Sequence, residues 1–190
     1  MNNQGKSILS IGLASMFIFM ILLGNSCIKS MPAEELKASV KLIDIDSRWE
    51  KKYYQPWPPK LILVPAISFK IKNIGEKPLT YVYCNAIFKF INETKNLGDN
   101  FVAGIGGNAV QPGETSETIS MQSFIGCEGK NLAHFKNNPA WNTAEAKIFI
   151  KSKGSQYILA GEYTISKKIN FKEPEPVGMK PSEKEKKDIK

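Results

Sequence analysis

Arginine, histidine and cysteine are scarce: Arg48 and His134 are the only residues of their kinds, and there are three cysteines in 190 residues. Each shortage removes a class of function. Surfaces that grip phosphate or nucleic acid favour the bidentate fork of arginine, yet 25 of the 26 basic residues are lysine. These lysines alternate along strand-like segments instead of clustering, so the formal charge of +8 reads as a solvated face that keeps sheets soluble, and no nucleic-acid partner is expected. A single histidine falls short of a zinc set, and Cys127 with His134 lacks the second histidine of a blue-copper set. Gly104-Ile-Gly-Gly107 does not lead from a strand into a helix, which excludes a dinucleotide loop. No internal repeat is visible, and helical periodicity is almost absent.

What is present begins with one long apolar run. Ser7 to Leu23 is preceded by Lys6 and closed by Gly24-Asn25-Ser26-Cys27, and nothing later resembles it. At roughly 17 residues it is long for a signal-peptide core and short for a spanning helix. It has no polar face, so it does not read as a buried helix of a soluble domain. Three fates are open. Gly24 and Ser26 suit cleavage by a signal peptidase. A small residue before Cys27 resembles a bacterial lipoprotein box and would make Cys27 a lipidation site, although Leu23 stands four before the cysteine instead of three. Without cleavage the run is a single-pass anchor. All three send the remainder out of the cytosol, with the membrane as a partner through the N-terminus in two of them.

Residues 1–26 are therefore a signal peptide or anchor and 27–36 a linker. Residues 37–172 form one domain, and 173–190, with Glu-Pro-Glu-Pro and Glu-Lys-Glu-Lys-Lys, a disordered charged tail. In an oxidising compartment Cys84 and Cys127 are either a disulfide or two buried thiols. A bridge would close a loop of about 43 residues and add roughly 3–4 kcal/mol.

Within the domain, Ile67, Phe69 and Ile71 alternate with Ser68, Lys70 and Lys72. Val82, Cys84, Ala86, Phe88 and Phe90 form a core face opposite Tyr81, Tyr83, Asn85, Ile87 and Lys89. Ala144, Ala146, Ile148 and Ile150 repeat the pattern. Further strands are expected at Val40–Asp46, around Phe101-Val102, over Thr115–Gln122 and within Tyr157–Phe171. Asn73–Pro78, Gln111–Glu114 and Lys153–Ser155 read as turns. Phe124–Asn138 reads as a long connection with one helical turn. Seven or eight short strands punctuated by turn residues predict an all-β, antiparallel sandwich.

The blocks Ile67–Leu79, Ala86–Phe90 and Gln111–Thr115 resemble FxLYD-type domains and related immunoglobulin-like sandwiches of bacterial and archaeal cell-envelope proteins. In those domains a strand ends in Asn-x-Gly, a second strand carries an aromatic pair, and a Pro-Gly-Glu turn starts a later strand. Here Phe88-Lys89-Phe90 stands where the family has Leu-Tyr-Asp. The resemblance spans roughly residues 65–120 and implies an immunoglobulin-like fold and an envelope location. It carries no catalytic residues.

Two groups of side chains merit attention. Asp44 and Asp46, two apart on a strand, share a face and suit either a cation or pairing with Arg48 and nearby lysines. Trp49, Tyr53, Tyr54 and Trp57 lie in a Pro-rich stretch that reads as a stiff loop, either a binding surface or a lid over one end of the core. The expected function is that of a non-enzymatic exported or membrane-tethered envelope module that meets a protein partner or serves as an accessory subunit. The alternative is a carbohydrate-binding or adhesin-like module using these four rings, with a glycan as ligand. No cofactor or metal is expected.

Overall fold

A computed structural model describes residues 31–174 apart from 92, 95, 137, 139 and 140. The apolar run, Cys27, the first part of the expected linker and most of the charged tail lie outside the described residues. The described chain is all-β, two sheets of a sandwich with two short helices.

Helix α1 (Ala33–Ser39) leads into β1 (Val40–Gln55), β2 (Lys60–Asn73), β3 (Val82–Phe90), β4 (Asn96–Ile105), β5 (Ile119–Gln122) and β6 (Cys127–Gly129). After α2 (Leu132–Lys136) come β7 (Ala144–Ser152), β8 (Ile158–Thr164) and β9 (Ile169–Asn170). One sheet runs β5-β2-β1-β9, with β6 also on β2; the other runs β4-β3-β7-β8. Nine strands replace the expected seven or eight, and the β1–β9 pairing is parallel.

The inner faces form as their alternation requires. Ile67, Phe69 and Ile71 of β2, Val82 to Phe88 of β3 and Ala144 to Ile150 of β7 bury their apolar members between the sheets. Burying a side chain of the Val, Leu, Ile or Phe class stabilises by about 1.5–3 kcal/mol, so these three strands carry much of the hydrophobic driving force.

Pro65 explains a break in the edge of the first sheet. Its carbonyl accepts from Ser123 N (3.0 Å), so its nitrogen also faces β5 and β6, where proline has no N–H to donate. The edge strand stops there. β5 pairs with Ala66–Phe69, β6 with Leu61–Leu63, and Ser123–Gly126 bulges between them. Gly126 belongs in that bulge because an added Cβ would meet Leu63 O at 2.2 Å.

Two turns meet at the α1 end. Asn73 is buried and donates from Nδ2 to Lys77 O and Val110 O (2.9 Å each), while its Oδ1 accepts from Gly75 N (3.0 Å). Gly113, at φ 83°, donates its N–H to Asn73 O at 2.8 Å. The Asn-x-Gly and Pro-Gly-Glu segments, distant in sequence, are thus one hydrogen-bonded corner.

Three boundaries differ from expectation. Residues 33–36 are helix, not linker, because Leu36 is fully buried and anchors α1 on the sandwich. β1 extends through the supposed loop to Gln55, since register shifts at Ile43/Asp46 and Lys51/Tyr53 hide its alternation without ending it. Glu173, assigned to the tail, accepts a hydrogen bond from Leu132 N (2.9 Å).

Candidate functional site

The four aromatic residues do not form one surface. Trp49 is fully buried and belongs to the core, not to a binding loop. It points inward opposite Pro65, edge-on to Trp141 (5.4 Å between ring centroids) and stacked at 6.4 Å on Phe90. Beyond it the Lys51/Tyr53 shift turns Tyr53 to the other face. Tyr54 is half-buried, its ring 5.3 Å from Phe171 just after β9.

What remains outside is a compact tip. Residues 56–59 turn the β1–β2 hairpin, and Trp57 between two prolines is 85% exposed. Tyr53 is half-exposed, and its hydroxyl donates to Gln55 Oε1; Gln55 Nε2 in turn donates to Trp57 O (2.9 Å). Gln55 therefore braces the tip from within. Sequence reasoning passed over it because an isolated glutamine beside four rings carries no signal of its own. An exposed indole on a proline-stiffened turn loses little conformational freedom when it is covered, which favours binding.

The tip lies far from the N-terminal helix. Val40 pairs with Asn73 at one end of β1 and Gln55 with Lys60 at the other. Sixteen residues at about 3.3 Å each span about 50 Å, less the shortening by twist and bulges.

The aspartates do not make a cation site. Asp44 falls in the bulge at φ 54° and pairs with Lys70 (2.9 Å), whereas Asp46 pairs with Arg48 (2.8 Å). Arg48 also binds Glu50 (2.6 Å) and donates to Ser68 Oγ (3.1 Å), so the only arginine is occupied on three sides. Burial draws its pKa down, but the hydrogen bonds and charges of Glu50 and Asp46 prevail and raise it. Among the described residues no three His, Cys, Asp or Glu side chains converge as metal ligands. His134 is exposed on α2.

Cys84 and Cys127 are both free. Cys127 pairs with Leu63 on β2. Cys84 lies by Gly104, where an added Cβ would touch Cys84 Sγ at 2.8 Å and Ile71 Cδ1 at 3.5 Å. Leu63 and Ile71 are about 25 Å apart along β2, whereas a disulfide needs Cα atoms within about 7 Å. Of the two readings open at the sequence level, the free thiols stand. Burial pushes the Cys84 thiol up to about 12, and burial with the Glu93 charge pushes Cys127 up to about 11. Neither is a nucleophile at neutral pH.

No helix among the described residues is long and apolar enough to cross a membrane. No family model matches the chain, and no curated protein matches it. Similar solved structures include a structural genomics target designated SoR45, at 12% identity and a TM-score of 0.40, covering 69% of this chain and 89% of its own. The putative ApaA protein from Bordetella pertussis is 15% identical with a TM-score of 0.32, covering 67% of this chain and 94% of its own. A protein from Archaeoglobus fulgidus is 11% identical with a TM-score of 0.31, covering 66% and 98%. Likeness at this level carries no functional argument.

Proposed function

We propose that this chain is an immunoglobulin-like sandwich of the cell envelope, exported or tethered by its N-terminal segment, which works without catalysis as a binding or accessory module. The β1–β2 tip is its contact with an envelope protein partner. One observation carries the reading: Trp57 is 85% exposed at the end of the sandwich remote from α1. Within the domain, that ring lies at the opposite end of β1 from α1, and on a proline-stiffened turn it loses little freedom when a partner covers it. The joined corner of Asn73 and Gly113 supports kinship with FxLYD-type envelope domains, whose two turn motifs it unites.

The test is site-specific photocrosslinking in the native membrane. A photoreactive residue at position 57 is expected to give a discrete crosslinked protein, and one at Lys41, near the opposite end, is not. Crosslinks to lipid alone, or none, contradict the reading. Binding on a glycan array that disappears in Trp57→Ala, with the melting temperature unchanged, replaces the protein partner with a carbohydrate at the Tyr53–Gln55–Trp57 tip.

A further inference from the structure

The outer face of the β4-β3-β7-β8 sheet divides into two regions of different chemistry. Toward one end its charges neutralise each other: Lys89 pairs with Glu145 (3.1 Å) and Lys147 with Glu162 (2.8 Å). Toward the α1 end they do not. There Phe101 of β4 stacks on Tyr83 of β3 with centroids 5.7 Å apart and planes 15° off parallel. Lys151 of β7, directly opposite Tyr83 in register, holds its Nζ 5.9 Å from that ring and 4.7 Å from the ring of Tyr157, just before β8. Lys153 lies 5.4 Å from Tyr81. Phenylalanine, tyrosine, lysine and tyrosine thus form a ladder across the whole width of the sheet.

Beside the ladder runs an apolar row. Phe101 pairs with Asn85, Asn85 with Phe149, and Phe149 with Leu159. Phe101 is 54% exposed, and Tyr157 and Leu159 are exposed too. In the middle, Asn85 Oδ1 is a buried acceptor without a donor among the described residues.

Ring faces are the negative part of an aromatic quadrupole and ring edges the positive part. In the ladder the faces of Tyr83 and Tyr157 are engaged by the Lys151 ammonium, which a ring face attracts. Lys151 and Lys153 make no salt bridge among the described residues. The surface is therefore electropositive through its lysines, with exposed apolar area alongside. A second copy of a chain carrying +8 is a poor complement.

We infer that this face docks an acidic polypeptide segment whose carboxylates meet Lys151 and Lys153 and whose apolar side chains cover Phe101, Phe149 and Leu159. This surface is separate from the hairpin tip and stands or falls independently of it.

The probe is the random copolymer poly(Glu,Tyr), titrated against the full chain in neutral detergent at low salt, with poly-L-glutamate, polygalacturonate and anionic phosphatidylglycerol vesicles for comparison. Copolymer binding is expected to be tighter than that of the other three. Lys151→Glu with Lys153→Glu should weaken it at least tenfold, and Phe101→Ala several-fold. The charge-matched pair Lys41→Glu with Lys72→Glu, exposed on the other sheet, should change it less than twofold. Thermal melts of each variant confirm folding. Equal loss in both lysine pairs reduces the effect to net charge and overturns the inference, as does poly-L-glutamate binding as tightly as the copolymer. Tighter binding of polygalacturonate or of vesicles assigns the face to a different class of ligand and overturns it likewise.

Discussion

Trp49 meets Trp141 edge-on at 5.4 Å, and Trp141 meets Phe135 in the same manner at 5.8 Å, so that strand β1, helix α2 and the connection from α2 to β7 are joined through rings. Eight residues after Trp49, Trp57 stands almost wholly in solvent. One hairpin therefore holds a buried and an exposed residue of identical type, and substitution separates their roles. Trp49→Ala removes a fully buried indole and is expected to cost about 3–5 kcal/mol of stability. Trp57→Ala should stay within about 0.5 kcal/mol. Urea unfolding of both variants, followed by circular dichroism, checks the contrast.

The thiols offer a second test. Alkylation of protein denatured without reductant should label both Cys84 and Cys127, since neither is bridged. In the folded protein at neutral pH, Cys84 should resist the reagent far longer than it does in denaturant, because it is buried and protonated. Mass spectrometry of the labelled peptides reads both results.

Those same groups set a pH dependence. Burial raises the folded-state pKa of Cys84 from 9.0 to about 12, so above pH 9 the unfolded chain releases a proton that the folded chain keeps. The folded state then binds more protons, and stability must fall as pH rises. The contribution is complete below about pH 9 and is lost progressively toward pH 12. Cys127 acts in the same direction over a narrower window, up to about 11. Cys84→Ala should lower stability at neutral pH yet lose less melting temperature than the parent between pH 8 and pH 10.5, a comparison that scanning calorimetry makes directly.

Much of the second sheet was legible in the alternation of Val82 to Phe88 and Ala144 to Ile150, where nothing disturbs the two-residue period. The errors cluster where the period slips. Two register shifts in β1 make its far half read as a loop and group the buried Trp49 with the rings of the tip. The glycines of β4 suggest a connection and leave only a few residues around Phe101-Val102 legible as strand. Gly104, however, sits in a strand against Cys84 Sγ and Ile119, where no Cβ fits without displacing them. β6, three residues long, is below what any pattern resolves. At the candidate site the sequence leaves open whether the four rings are a lid or a surface, and the brace of Trp57 by Gln55 depends on a turn geometry that composition does not encode.

The broken edge of the first sheet predicts a sharp sensitivity at one glycine. Gly126→Ala drives a methyl group into the Leu63 carbonyl and Val64 Cγ1, at 2.2 and 2.8 Å before relaxation. Backbone cannot move aside as a flexible side chain would, so a loss of about 1–3 kcal/mol is expected. Gly106→Ala meets open space and should be close to neutral by the same urea assay.

Arg48 predicts a salt-sensitive contribution. Its removal leaves Glu50 without its cation, Asp46 with only the longer pair to Lys168 (3.9 Å), and Ser68 without its donor. Arg48→Ala is expected to cost about 1–2 kcal/mol at low ionic strength and less in 1 M salt. Lysine, which lacks the planar fork, should restore only part of it.

The account rests on export of the chain by its apolar N-terminal segment. Intact-mass spectrometry of the protein recovered from fractionated native cells tests this most directly. The expected result is recovery in the envelope fraction, either cleaved beside Cys27, lipidated on Cys27 or retaining the segment as an anchor. Full-length, unmodified chain dissolved in the cytosolic fraction contradicts it.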